Sequence, residues 1–143
     1  MDELVGPLLS FLFGVVLGIL AHRLTVGRSR QERRIADATE RIDRCLDIFN
    51  AQVNRAVAYN LGDSGRARVI NAHKELLKRY PWAAPDKLLG DSAAYRHYNE
   101  VQHQAGLDVK ARVGSGPERV SRLEEAAEPV VEELLALRER ARD

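Results

Sequence analysis

The sequence has little of what several function classes need in quantity. Its 143 residues include a single cysteine, Cys45, which excludes an internal disulfide framework and fits a reducing compartment. Aromatic residues make up only 6%, and 22 basic against 21 acidic residues leave a net charge of +1. Because nucleic-acid binding draws on an excess of positive charge, this balance argues against a nucleic-acid partner. Leu, Ala, Arg and Glu dominate instead, which is typical of an all-α protein.

Charged side chains are absent altogether from residues 4–21. As a helix this run is about 27 Å long, close to the ~30 Å hydrocarbon core of a bilayer. A cleaved signal peptide fits less well, because the first residues are acidic and the exit sequence ILAHRL is a poor cleavage site. A buried helix of a soluble protein is usually shorter and has a polar stripe. The sequence therefore predicts a single-pass transmembrane anchor over residues 1–26.

Arginines gather immediately after this run, and neither Lys nor Arg precedes it. The positive-inside rule then places the N-terminus outside and the rest of the chain in the cytoplasm, so that the protein lies in the cytoplasmic (inner) membrane. Residues 27–34 are expected to form a basic juxtamembrane segment. A topology signal accounts for the arginines by itself, and contact with lipid headgroups is the alternative. The residues concerned are Arg23, Arg28, Arg30, Arg33 and Arg34.

Small residues recur at every fourth position of the apolar run, at Gly6, Ser10, Gly14 and Gly18. On a membrane helix this step places them along one side, where the backbone of another helix can approach closely. Packing drives association in lipid, where the hydrophobic effect does not. We expect this side to face a second copy of the chain or a different membrane protein.

Apolar residues at three- and four-residue steps predict a small cytoplasmic helical domain over residues 35–143, with helices at about 31–61, 65–80, 91–105 and 117–142. The last helix has the most regular stripe, which predicts a bundle helix or a short coiled coil. Residues 106–116 alternate apolar and polar side chains but have no second strand to pair with. We expect a connector there, or else a strand offered to a partner. The positions expected to pair cytoplasmic helices are Val120, Leu123, Val130, Leu134 and Leu137.

No catalytic or metal-binding pattern stands out in the sequence. His97, Glu100 and His103 are spaced three residues apart. Three residues fall ~60° short of a full helical turn, so the side chains of the two histidines point about 120° apart around the helix. Cys45 lies on an apolar stripe, which favours a buried thiol over a nucleophile. The stretch RARVINAHKELLKRY is interpreted as a helix with a basic, solvated face. The sequence indicates no cofactor, no metal and no small-molecule substrate.

These features favour a membrane-tethered, non-enzymatic interaction or assembly protein, which works at the lipid bilayer as a homo-oligomer or with another membrane protein. Two alternatives stay open. One is a small phage or bacterial membrane-active regulator of the lysis, exclusion or toxin type, which dye leakage would distinguish. The other is a membrane-anchored enzyme of unknown activity, which would need a cluster of ionisable groups in a cleft.

Overall fold

The chain is helical in the computed structural model, which describes the backbone of residues 5–143 and the side chains of residues 14–143. The described part contains five α-helices and no strand, which confirms the all-α class. The chain divides into two compact units, Met1–Asp37 and Ala38–Asp143. The helices are α1 (Val5–Leu61), α2 (Arg66–Arg79), α3 (Pro85–Leu88), α4 (Ala93–Ala111) and α5 (Gly116–Arg142), with a 3-10 turn at Pro81–Ala83.

α1 is one helix where the sequence predicts an anchor, a basic segment and then a separate helix. The residue least suited to a helix in the basic segment is Gly27, and one glycine costs only about 1 kcal/mol relative to alanine. The arginines around it are good helix formers. The basic segment 27–34 is therefore helical rather than a break between two elements.

The second unit has one hydrophobic core, built from α4, α5 and the part of α1 after residue 37. Phe49 of α1 packs edge to face against Tyr98 and Tyr95 of α4, with ring centroids 5.0 and 6.2 Å apart. Such aromatic pairs add about 0.5–1.5 kcal/mol to the area they bury. The predicted helical bundle is thereby confirmed for this unit. α5 contributes the buried side chains of Leu123, Ala126, Ala127, Val130 and Leu134.

α4 extends to Ala111, beyond the end near residue 105 that the sequence predicts. The alternating residues after 105 are not a strand, because burial follows helical turns: Ala105 is buried and Val109 half-buried, while Leu107 between them is exposed. In the absence of a neighbouring strand, a helix satisfies the backbone N–H and C=O groups of this segment internally. The predicted connector 106–116 is therefore wrong in its first half.

The start of α5 is fastened to the end of the α1 helix. Ser115 caps α5 by accepting a hydrogen bond from the Glu118 N–H, at 3.3 Å. Arg119 Nε donates to Asn60 Oδ1 at 2.9 Å. Gly116 lies so close that a Cβ added to it would be 2.8 Å from the Asn60 carbonyl oxygen. This approach explains why a glycine begins the helix.

α2 lies at the periphery of the second unit. None of its residues, all of which are described, is buried. Its apolar face is only half-buried, at Val69, Ile70, Leu76 and Leu77. A helix packed so incompletely leaves space beside it, and a groove of the second unit lies there.

Candidate functional site

The described part of the first unit exposes apolar side chains around more than half of the circumference of α1, at ~100° per residue. The exposed fraction runs from 43% for Val15 to 72% for Leu24. An amphipathic helix of a globular protein needs an apolar stripe of only ≳100°. The arginines that follow, from Arg23 to Arg34, are exposed as well. The exposed apolar side chains are those of Val15, Val16, Leu17, Ile19, Leu20 and Leu24.

Among the described residues, no helix is both long and apolar enough to cross a membrane. Of the predicted anchor, residues 1–13 lie outside those whose side chains the structure describes. The transmembrane helix remains a prediction.

The predicted small-residue stripe is described only in its second half. A Cβ added at Gly14 or Gly18 would meet no described atom within 4 Å. Gly6 and Ser10 lie outside the residues with described side chains. Both described glycines therefore have open space beside them.

The stripe predicted to pair cytoplasmic helices packs inside the second unit. Leu123, Val130 and Leu134 are fully buried in its core. Leu137 packs against that core and is partly buried. Val120 is half-buried at the start of the same helix. Leu123, Val130, Leu134 and Leu137 therefore contact this chain's own core.

Of the residues considered for chemistry, Cys45 is buried as the sequence predicts. Cys45 is fully buried, and this burial raises the pKa of its thiol to about 12. Such a thiol stays protonated near neutral pH and is a poor nucleophile. His97 and His103 are exposed. No group of three or more metal-binding side chains occurs among the residues described.

A groove of about 790 Å³ lies between α1, α2 and α4, and we call it the basic groove. Its volume is in the range of small-molecule sites, about 300–1,000 Å³. Its apolar wall is formed by Ala56, Ile70 and Leu107. The cationic and imidazole side chains that line it are Arg55, Arg66, Lys110, His73 and His103.

The basic groove carries charge of one sign. None of the described residues that line it is an aspartate or a glutamate. The second unit has ion pairs elsewhere, such as Arg138 with Asp43 at 3.1 Å, and these do not involve the cations of the groove. Arg55, Arg66 and Lys110 form no ion pair within the described part of the chain. The groove is therefore an electropositive concavity in a chain of nearly neutral net charge.

One contact in the basic groove fixes a proton position. Arg55 Nη1 lies 3.3 Å from His73 Nδ1. Since the guanidinium has only donors, Nδ1 accepts, and the neutral ring carries its proton on Nε2. Burial lowers the pKa of His73 below its ordinary value, and the charge of Arg55 lowers it further. At neutral pH the ring therefore offers a neutral N–H donor.

An amide bridge joins α1 to α4 beside the groove. Gln52 Nε2 donates to Asn99 Oδ1 at 3.3 Å and to Gln102 Oε1 at 3.1 Å. Gln52 is the polar residue that interrupts the apolar stripe of α1, and these contacts account for it. The bridge positions the polar side of the groove.

The basic groove is not predictable from residue patterns, because its residues come from segments far apart in the chain. By itself, the stretch that contains Arg66 and His73 indicates a helix with a basic, solvated face. The signal that points to the groove is that Arg66 begins a helix with no acidic residue in its first turn. No protein-family model, curated protein or solved structure matches the chain.

Proposed function

We propose that this chain is a membrane-tethered, non-enzymatic interaction protein, anchored by residues 1–26 and carrying a helical domain that assembles with itself or with another membrane protein. The observation that carries the proposal is the exposed apolar surface of the first unit, from Val15 to Leu24. Burial of one such side chain stabilises by about 1.5–3 kcal/mol. Soluble monomers rarely leave contiguous apolar patches of this kind uncovered.

The charge pattern indicates that a membrane, in preference to a protein partner, covers the exposed apolar surface of the first unit. The uncharged run 4–21 is followed at once by exposed arginines and preceded by none. This asymmetry is what the positive-inside rule requires of an anchor with its N-terminus outside. Arg23 can extend its aliphatic stem along the apolar surface while its charge reaches the headgroups. A protein partner would need no such asymmetry.

The small residues support a helix contact within the membrane. The open space beside Gly14 and Gly18 leaves their backbone accessible to a second helix. Close backbone approach is the usual basis of helix association in lipid. The partner in this contact is a second copy or a different membrane protein.

Membrane attachment is tested by placing charges within the exposed apolar surface. The double variant Val16→Arg/Leu20→Arg introduces two charges, each costing about 2.5–3.5 kcal/mol at the centre of a membrane helix. We expect the wild-type chain to stay with the membrane pellet after alkaline carbonate washing and the double variant to be released. The measurement is the fraction of chain in pellet and supernatant.

The control is Leu135→Arg, which places a single arginine at an exposed leucine of α5, 42% exposed, in the second unit. This variant should pellet like the wild type. Release of the wild-type chain by carbonate, or equal pelleting of the wild type and the double variant, contradicts the proposed anchor. The proposed orientation places the C-terminus in the cytoplasm. A protease should therefore digest a C-terminal tag only after the cells are opened.

A further inference from the structure

Three cationic side chains line the basic groove, and no acidic side chain is among the described residues that line it. Arg55, Arg66 and Lys110 come from three different helices and line one cavity. Like charges that line one cavity repel one another, and a bound anion adds attractive interactions that offset this repulsion. The chain has 21 acidic residues, yet the described lining of the groove has none. The groove is therefore complementary to a ligand of negative charge.

Arg66 adds a second reason for an anion. It is the first residue of α2, whose first turn holds no acidic residue, while the N–H of the preceding Gly65 donates to Asp63 Oδ1 at 2.9 Å. The positive end of a helix dipole disfavours a cation at that position. An anion beside Arg66 would interact favourably with both the guanidinium and the helix terminus.

The apolar wall indicates that the ligand is more than a bare ion. Ile70 and Leu107 face the cavity, and Leu107 remains 45% exposed. A hydrated inorganic ion gains nothing from these side chains. A molecule that joins an anionic group to an apolar or aromatic body would cover them and fill a cavity of about 790 Å³.

We propose that the basic groove binds a small phosphate-bearing organic molecule, with its phosphate held by Arg55, Arg66 and Lys110 and its apolar body against Ile70 and Leu107. Three cations match the near-divalent charge of a phosphate monoester better than the single charge of a carboxylate. The guanidinium forks of the two arginines suit phosphate oxygens. His73 Nε2–H supplies a neutral donor in the same cavity. This site lies within the second unit and goes beyond the proposed membrane attachment.

The test uses the full-length chain in nanodiscs of phosphatidylcholine, whose headgroups carry no net charge to compete with the groove. The probes are 1-naphthyl phosphate, 1-naphthol and inorganic phosphate, titrated by calorimetry. We expect 1-naphthyl phosphate to bind at least about tenfold more tightly than either of the other two, because only it engages both the cations and the apolar wall.

Matched variants locate the binding. Arg66→Gln should weaken binding of 1-naphthyl phosphate about tenfold and leave 1-naphthol unchanged. Arg68→Gln is the control, because Arg68 is exposed on the same helix and does not line the groove. It should bind like the wild type. Circular dichroism of both variants establishes that each keeps the helical content of the wild type.

Competition distinguishes the two sources of a phosphate ester. Adenosine monophosphate stands for soluble esters and lysophosphatidic acid for lipid headgroups, and displacement of the probe by either supports the site. Equal affinities for 1-naphthyl phosphate and 1-naphthol overturn the proposal, as does equal weakening by Arg66→Gln and Arg68→Gln. Binding of an oligoglutamate peptide with no binding of 1-naphthyl phosphate overturns it in favour of an acidic protein partner.

Discussion

Two tyrosines on the same face of α4 differ in how their hydroxyl groups are satisfied. Tyr95 Oη donates to Asp86 Oδ1 at 2.8 Å. Burial, and then the Asp86 contact, raises the pKa of Tyr95 to about 12. Tyr98, one turn later, is fully buried, and its hydroxyl has no hydrogen-bond partner among the described residues. Burial raises the pKa of Tyr98 as well. The two rings pack alike, so their hydroxyl groups make the difference.

The two tyrosine-to-phenylalanine variants should therefore differ in stability. Tyr95→Phe loses a hydrogen bond and should lower the free energy of unfolding by about 1 kcal/mol. Tyr98→Phe removes an unpaired buried hydroxyl and should leave that free energy unchanged or raise it by up to about 1 kcal/mol. Urea unfolding of the full-length chain in a mild non-ionic detergent measures both. An equal loss in the two variants would mean that an ordered water satisfies Tyr98.

At the scale of elements, the junction of α1 and α5 depends on a close backbone approach. Arg119 reaches Asn60 and also donates from Nη1 to the Val113 carbonyl at 2.9 Å. These contacts hold the first turn of α5 against the last turn of α1. Gly116 lies within the junction, where a methyl group would meet the Asn60 carbonyl oxygen.

Two glycine-to-alanine substitutions should consequently change stability in opposite directions. Gly116→Ala forces the backbones apart and should lower the free energy of unfolding by at least about 1 kcal/mol. Gly106→Ala is the matched control, because a Cβ there meets no described atom within 4 Å and alanine favours the interior of α4. It should raise the free energy of unfolding by about 0.5–1 kcal/mol. If urea unfolding shows that both variants are more stable than the wild type, the backbones of α1 and α5 can separate enough to accommodate a methyl group, which contradicts the prediction.

The elements also show what periodicity reveals and what it does not. Apolar stripes in residues 38–61 and in α5 identified faces that the structure buries, because a helical repeat records which side avoids water. A repeat carries no information about which surface covers that side. The stripe that includes Leu123 and Leu134 therefore predicts the pairing of cytoplasmic helices without naming the partner, and in the structure both side chains contact this chain's own helices. The end of α4 was missed because alternation and helical spacing coexist between residues 105 and 113.

At the scale of the whole molecule, the basic groove illustrates a feature that sequence alone does not display. Its residues lie in three segments, 52–60, 66–73 and 102–110. Each segment taken alone is an ordinary helix with scattered polar side chains. Arg55, Arg66 and Lys110 line one groove only because α1 packs against α4 and α2 packs incompletely beside them. Charge convergence of this kind is a tertiary property, invisible to periodicity and spacing.

The core of the second unit should open as one body, and Cys45 reports this opening. Its thiol is fully buried in the cluster that α1 forms with α4 and α5. Alkylation needs the thiolate, and the buried thiol has a pKa of about 12. Labelling therefore requires that the core open first. At a stability of about 5 kcal/mol, iodoacetamide should react at least about a thousandfold more slowly than with a free thiol.

The urea dependence of this labelling distinguishes global from local opening. If the three helices separate together, the logarithm of the labelling rate should rise with urea as steeply as the equilibrium constant for unfolding. The control is Asn50→Cys in a Cys45→Ala background, which places the thiol on the exposed face of the same helix. This thiol should react at the free rate at every urea concentration. A Cys45 labelling rate that does not change with urea concentration would contradict this prediction. It would mean that α1 detaches from α4 and α5 without unfolding them, so that the core consists of separable layers.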